Sequence, residues 1–113
     1  MSRRIEQVNE LLRAELAQLI TRDQPLHNGL VTIIYAKCSP DIKQAKVGIS
    51  VLPENLAGTA LKNLRAANPT FANILKKKLK FKFFPKLIWQ IDSGERYAAE
   101  IDRVFKDLHS RPM

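Results

Sequence analysis

No Asp or Glu occurs between Asn55 and Ile91, although eight cations do: Lys62, Arg65, Lys76, Lys77, Lys78, Lys80, Lys82 and Lys86. Of the nineteen Lys and Arg in this 113-residue chain, the eleven outside that window equal the eleven acids, so the window carries the whole formal charge of +8. A field of one sign confined to one third of a small domain attracts polyanions, nucleic acid first and anionic membrane second. Cysteine is scarce as well. The single Cys38 excludes an internal disulfide and any Cys-x-x-Cys metal site, suits a reducing compartment, and reads as a small apolar filler.

Other absences narrow the function. No run approaches the ~18 consecutive apolar residues of a membrane span. The opening MSRRIEQVNE lacks the apolar core of a signal peptide, so a cytoplasmic location is expected. There are only two histidines, His27 in a predicted loop and His109 near the C-terminus, while Asp41 and Asp92 each suit a turn or a cap. A nuclease would need clustered carboxylates for metal or a histidine pair for proton transfer. Neither is offered, so the expectation is a protein without catalysis, cofactor, metal or small-molecule substrate. A membrane-surface role is disfavoured in turn, because the apolar residues it would insert are needed for the core.

What is present is an ordinary globular composition, 45% hydrophobic and 27% charged. The length fits one domain, residues 1–113, ordered from about 3 to 108. Ile5, Val8, Leu12, Leu16 and Leu19 recur at helical spacing, predicting a helix from about 3 to 21 with Ser2 as N-cap. Leu30 to Ala36 and Ala45 to Leu52 read as strands joined by the turn Ser39-Pro40-Asp41, an antiparallel hairpin. Pro53 and Glu54 suit a helical first turn, and Leu56, Ala57, Ala60, Leu61 and Leu64 continue a helix to about Ala67. Asn68-Pro69 then reads as N-cap and first residue of a second helix, to about Lys78 or Leu79, with a kink between the two. Leu87 to Ile91 is the third strand, preceded by alternating Lys80, Phe81, Lys82 and Phe83. Asp92, as N-cap with Glu95 three residues on, opens a closing helix carrying Tyr97, Ile101, Val104, Phe105 and Leu108. The order predicts an α+β fold, helices on one face of a three-stranded sheet.

This order resembles the K-homology-like (type II-like) fold of bacterial ribosome-binding factor A, α-β-β-α-kink-α-β with an added C-terminal helix. The stretches that carry the resemblance are SRRIEQVNELLRAEL, VTIIYAKCSPDIKQAKVGIS and KLKFKFFPKLIWQID. The family's Ala-x-Gly kink aligns with Ala67-Asn68-Pro69, where proline replaces glycine. The loop from Asp23 to Leu26 follows the family's Asp-Pro-Arg only loosely. The resemblance implies a monomeric, non-catalytic factor that binds the free or immature 30S subunit through its 16S rRNA. It also implies assistance to late maturation and 5′-end processing of that RNA, and an association with growth in the cold. A general single-stranded RNA- or DNA-binding module of K-homology type is the alternative; the missing Gly-x-x-Gly loop counts against it, Gly58 being the only glycine in the helical region.

The basic block supplies the candidate interface. A helical wheel sets Ile74, Leu75 and Leu79 near Phe71 and gathers Asn73, Lys76, Lys77 and Lys80 opposite. Lys78 falls on the apolar side and is expected to snorkel or to mark the helix end. Lys80 and Lys82 are expected to share one strand face, and Lys86, Lys62, Arg65, Arg3, Arg4 and Asn68 complete the RNA-binding set. Lysine outnumbers arginine in the window, which favours phosphate contact over base reading. Six such contacts give a log–log salt slope of roughly −4 to −5. Phe81, Phe83, Phe84 and Trp89 interleave with the lysines as base-stacking platforms would. Alternation instead assigns Phe81, Phe83 and Trp89 to the core, with Phe84 the weakest core candidate.

Overall fold

A computed structural model describes residues 3–92. Helix α1 (Arg3–Asp23) is followed by strands β1 (Leu30–Cys38) and β2 (Gln44–Leu52), a single 3-10 turn at Glu54–Leu56, helix α2 (Ala57–Lys78) and strand β3 (Lys86–Ile91). The expected N-cap Ser2 and the closing helix after Asp92 lie outside the described residues.

The sheet runs in the order β1-β2-β3, antiparallel between β1 and β2 and parallel between β2 and β3. A parallel pair needs a long crossover, and α2 provides it. Alternation sends Val31, Ile33, Ala45, Val47, Ile49, Val51, Leu87 and Trp89 to the buried face. They meet Leu12, Leu16, Leu19 and Ile20 of α1 and Ala60, Leu64, Phe71 and Leu75 of α2 in one core. Cys38 is buried in that core, as expected of an apolar filler, and desolvation pushes its thiol pKa up.

Two local devices set the register. The pairing slips between Ile33 and Tyr35, so Ile34 is the extra residue of a bulge and the buried positions pass from Val31 and Ile33 to Ala36 and Cys38. Tyr35 pairs with Gly48, where a Cβ would lie only 2.2 Å from the Tyr35 ring, and the Tyr35 hydroxyl accepts a hydrogen bond from the Gln90 side chain. Glycine here is what lets the ring lie across the sheet. At the hairpin, Asp41 Oδ1 accepts from the Ser39 hydroxyl at 2.6 Å and from Lys43 N at 3.1 Å, the turn chemistry read from the sequence. The Ser39 hydroxyl and then the Lys43 N–H hold the Asp41 carboxyl below its ordinary range.

Two expectations are corrected. Helix α2 runs unbroken from Ala57 to Lys78 with Pro69 inside it, so Asn68 is not the N-cap of a second helix and no new helix start offers free N–H groups there. The buried positions Ala60, Leu64, Phe71 and Leu75 keep one helical phase across the proline. Packing on both sides therefore offsets the ~3 kcal/mol that an internal proline costs. Pro69 is exposed, which puts the Arg65 carbonyl that loses its donor on the solvent side. The second correction concerns residues 79–85, which form a turn and loop rather than a strand. Lys80 adopts φ 56, and Phe81 N donates to Lys76 O at 3.2 Å, the six-to-one bond of a Schellman helix end. Lys80 and Lys82 therefore do not share a strand face.

Candidate nucleic-acid interface

The helical period places Lys62, Arg65, Pro69, Asn73 and Lys76 within an arc of about 80°, centred about 150° round the helix from Ala60, Leu64, Phe71 and Leu75. All five are exposed. At 1.5 Å per residue the stripe is ~21 Å long from Lys62 to Lys76. Lys77 flanks it, and Lys80 continues it past the helix end; both are exposed. The helix thus divides cleanly into a core side and a cationic side with no acid along it.

Lys78 behaves as its wheel position required. It ends α2 and reaches back to α1, where its ammonium lies 2.8 Å from Glu15, whose side chain is only 13% exposed. That ion pair ties the two helices and partly neutralises one cation of the block. Asn68 also turns inward: its Oδ1 accepts from the Trp89 indole N–H at 2.5 Å, and its Nδ2 lies 3.4 Å from Leu87 O. Trp89 is 3% exposed, so Asn68 satisfies an N–H that would otherwise be buried without a partner.

The hairpin brings in cations that the acid-free window leaves out. Lys37 pairs with Lys46, Lys46 with Ile88, and Gln44 with Lys86, placing Lys37, Lys46 and Lys86 on the sheet face away from the core. Lys86 N donates to Lys43 O at 2.9 Å, so Lys43 joins them at the turn end. Asn9 Oδ1 accepts from Cys38 N at 2.8 Å, which sets the first half of α1, with exposed Arg4, at that same end. The signal was present in the sequence, since Lys46 lies between the buried Ala45 and Val47. Arg3 begins α1. Asp41 is the acid nearest these lysines in the chain, and its carboxylate is already engaged by Ser39 and Lys43.

The profile of the ribosome-binding factor A family matches residues 4–105. The chain belongs to the ribosome-binding factor A family. Ribosome-binding factor A of Magnetococcus marinus is 30% identical over 99% of this chain and 94% of its own length, and that of Akkermansia muciniphila 26% identical over 96% and 86%. The crystal structure of the Thermus thermophilus ribosome-binding factor A superposes with a TM-score of 0.68 over 77% of this chain and 93% of its own, at 21% identity. A homology model of the Thermus protein, fitted into a cryo-electron-microscopy map of a complex between the 30S subunit and that factor, gives 0.61 over 76% of this chain and 92% of its own. The K-homology-like α+β fold is therefore shared with the family.

Within that fold the aromatic assignments divide. Trp89 is core and meets Phe71 edge to face at 6.3 Å. Phe81 is half-buried and stacks edge to face on Phe84 at 5.6 Å, and Phe84, the weakest core candidate, is the ring packed against the core. Phe83 is the correction. It is 77% exposed, because residues 79–85 lack the strand alternation that would have turned it inward.

Proposed function

We propose that this chain binds the free or immature small ribosomal subunit through 16S rRNA and assists late maturation and 5′-end processing of that RNA, without catalysis. The observation that carries the reading is the acid-free cationic stripe on α2, Lys62, Arg65 and Lys76 with Lys77 and Lys80 beside it, facing away from the core. Lysine-rich surfaces of this kind neutralise phosphates and follow the shape of a folded RNA more than its bases. Lys82 follows Lys80 in the loop after α2, while Lys37, Lys46 and Lys86 form a second cationic patch on the outer face of the sheet, across the core from the α2 stripe. Family membership supports the ribosome as target, and the 30S complex of the Thermus factor supports the small subunit. The protein acts as a monomer in the cytoplasm, leaving the subunit before translation.

Sedimentation decides the matter. The chain should travel with free small subunits and be sparse on whole ribosomes. Equal binding to any single-stranded RNA or DNA would replace this reading with a general nucleic-acid module.

A further inference from the structure

We propose that Phe83 is a stacking platform for an unpaired nucleobase, an inference that rests on the rRNA reading above and adds base contact to a surface otherwise built for phosphates. Phe83 is the most exposed large apolar side chain among the described residues, at 77%, and the only aromatic among the exposed ones. Its neighbours fix it there. Phe81 and Phe84, on either side of it in the chain, pack edge to face on each other, Phe84 rests on the core, and Pro85 is fully buried, so the short loop is anchored around it. The Schellman end at Lys80 sets where the loop leaves α2. Phe83 is therefore displayed by an anchored loop.

The surroundings select the partner. The Lys82 ammonium stands 5.8 Å from the centre of the Phe83 ring, and Lys80 and Lys86 are three residues away on either side, all exposed. No acid occurs in the chain from Asn55 to Ile91. An apolar socket on a protein partner would meet this ring of like charges at a cost. A nucleotide presents a flat base to the aromatic face and a phosphate to the lysines, so both parts of the site are used at once. Duplex RNA keeps its bases stacked on one another, whereas a loop, bulge or single strand offers them.

The test measures affinity of the full chain for a single-stranded RNA and for a duplex RNA of equal length. Phe83→Ala should weaken single-strand binding by about 5- to 150-fold, the worth of one base–aromatic stack. Duplex binding should stay within about twofold, since phosphate contacts do not use the ring. Phe83→Trp should keep the single-strand affinity, and Phe83→Leu should lose most of it. Thermal melts of all three should match the parent, because the ring contributes little to the core. The stack is overturned if Phe83→Ala binds the single strand like the parent, or if Phe83→Leu does, the latter pointing to an apolar protein socket. If Lys76, Lys77 and Lys80 changed together to Gln abolish binding to both RNAs while Phe83→Ala affects neither, stacking fails alone and the rRNA reading stands. A parent protein that binds no RNA removes both.

Discussion

Replacing Lys80 with glycine should stabilise the fold while loosening its hold on RNA. Lys80 lies just beyond the end of α2 at φ 56, in the left-handed region, where glycine is the usual residue. There a Cβ crowds the following carbonyl at a cost of ~1–2 kcal/mol. Glycine avoids that crowding but loses ~0.5–1 kcal/mol more backbone freedom on folding. The difference leaves a gain of about 1 kcal/mol, or a rise of about 4–8 °C in Tm for a domain of roughly 100 residues. Lys80→Gly also removes one exposed cation, so the log–log salt slope of RNA affinity should become shallower by ~0.7–0.9. Lys80→Ala separates the two effects: it keeps the Cβ and the strained backbone but loses the charge. Its Tm should stay near the parent value while its salt slope matches that of Lys80→Gly. Thermal melts followed by circular dichroism, with RNA titrations across a salt series, read both quantities. If Lys80→Ala were stabilised as much as Lys80→Gly, or if Lys80→Gly melted no higher than the parent, the left-handed helix end would not be the source and the reasoning would fail.

Other perturbations test the remaining contacts. Asn68→Ala leaves the buried Trp89 indole N–H without a partner and should cost about 1–3 kcal/mol in chemical denaturation. The loss should shrink in a Trp89→Phe background, and equal losses in both would show that this hydrogen bond is not the cause. Glu15→Gln breaks the pair with Lys78, a lysine 54% exposed, so stability should fall by only ~0–1 kcal/mol. The released cation should steepen the RNA salt slope by about 0.7, and an unchanged slope would place Lys78 off the RNA path. Gly48→Ala sets a methyl against the Tyr35 ring and should cost about 1–3 kcal/mol, partly recovered by adding Tyr35→Ala. Failure of that second change to recover stability would locate the strain elsewhere. Because the folded state lowers the Asp41 pKa below its ordinary 3.8, the stability it contributes is fully present above that value and is lost as pH falls through the folded pKa. Asp41→Asn should flatten the acid limb of the stability curve below about pH 4, and an identical limb would exclude the turn carboxylate.

Most of the fold was legible because its elements carry redundant signals. The stripe Leu12, Leu16, Leu19 marks α1, β-branched residues with a Ser-Pro-Asp turn mark the hairpin, and the order of elements implies one helical layer on a small sheet. Local rules divide α2 at Asn68-Pro69, and such rules are weak against a continuing core phase. Ala60, Leu64, Phe71 and Leu75 share one face across the proline, and that common phase favours one helix over two. The end of α2 was harder to read, because a lysine occupies the left-handed position where glycine would have announced the stop. Alternation of Lys and Phe through residues 80–83 then imitated a strand.

The site was legible in charge and illegible in aim. Counting acids located the cationic block, and the wheel placed Asn73, Lys76 and Lys77 on the exposed side because a helix period is regular, whereas Lys62 and Arg65 join them on one stripe only because α2 is continuous. Three further cations, Lys37, Lys43 and Lys46, were balanced by acids in a linear count and so counted as neutral background, although Asp41 is the one acid between Lys37 and Lys46 in the chain. Strand pairing, a long-range property, is what brings Lys46 beside Lys37 and Lys86 into the adjoining register. Asn68 shows the converse. A polar residue within a basic segment looks available for RNA until the buried indole of Trp89, twenty-one residues away in sequence, proves to need its carbonyl. A basic surface can therefore be found from composition, but which polar groups on it face outward depends on what the core has left unsatisfied. By that criterion Phe83, which no core contact claims, is the aromatic with the strongest case for a ligand.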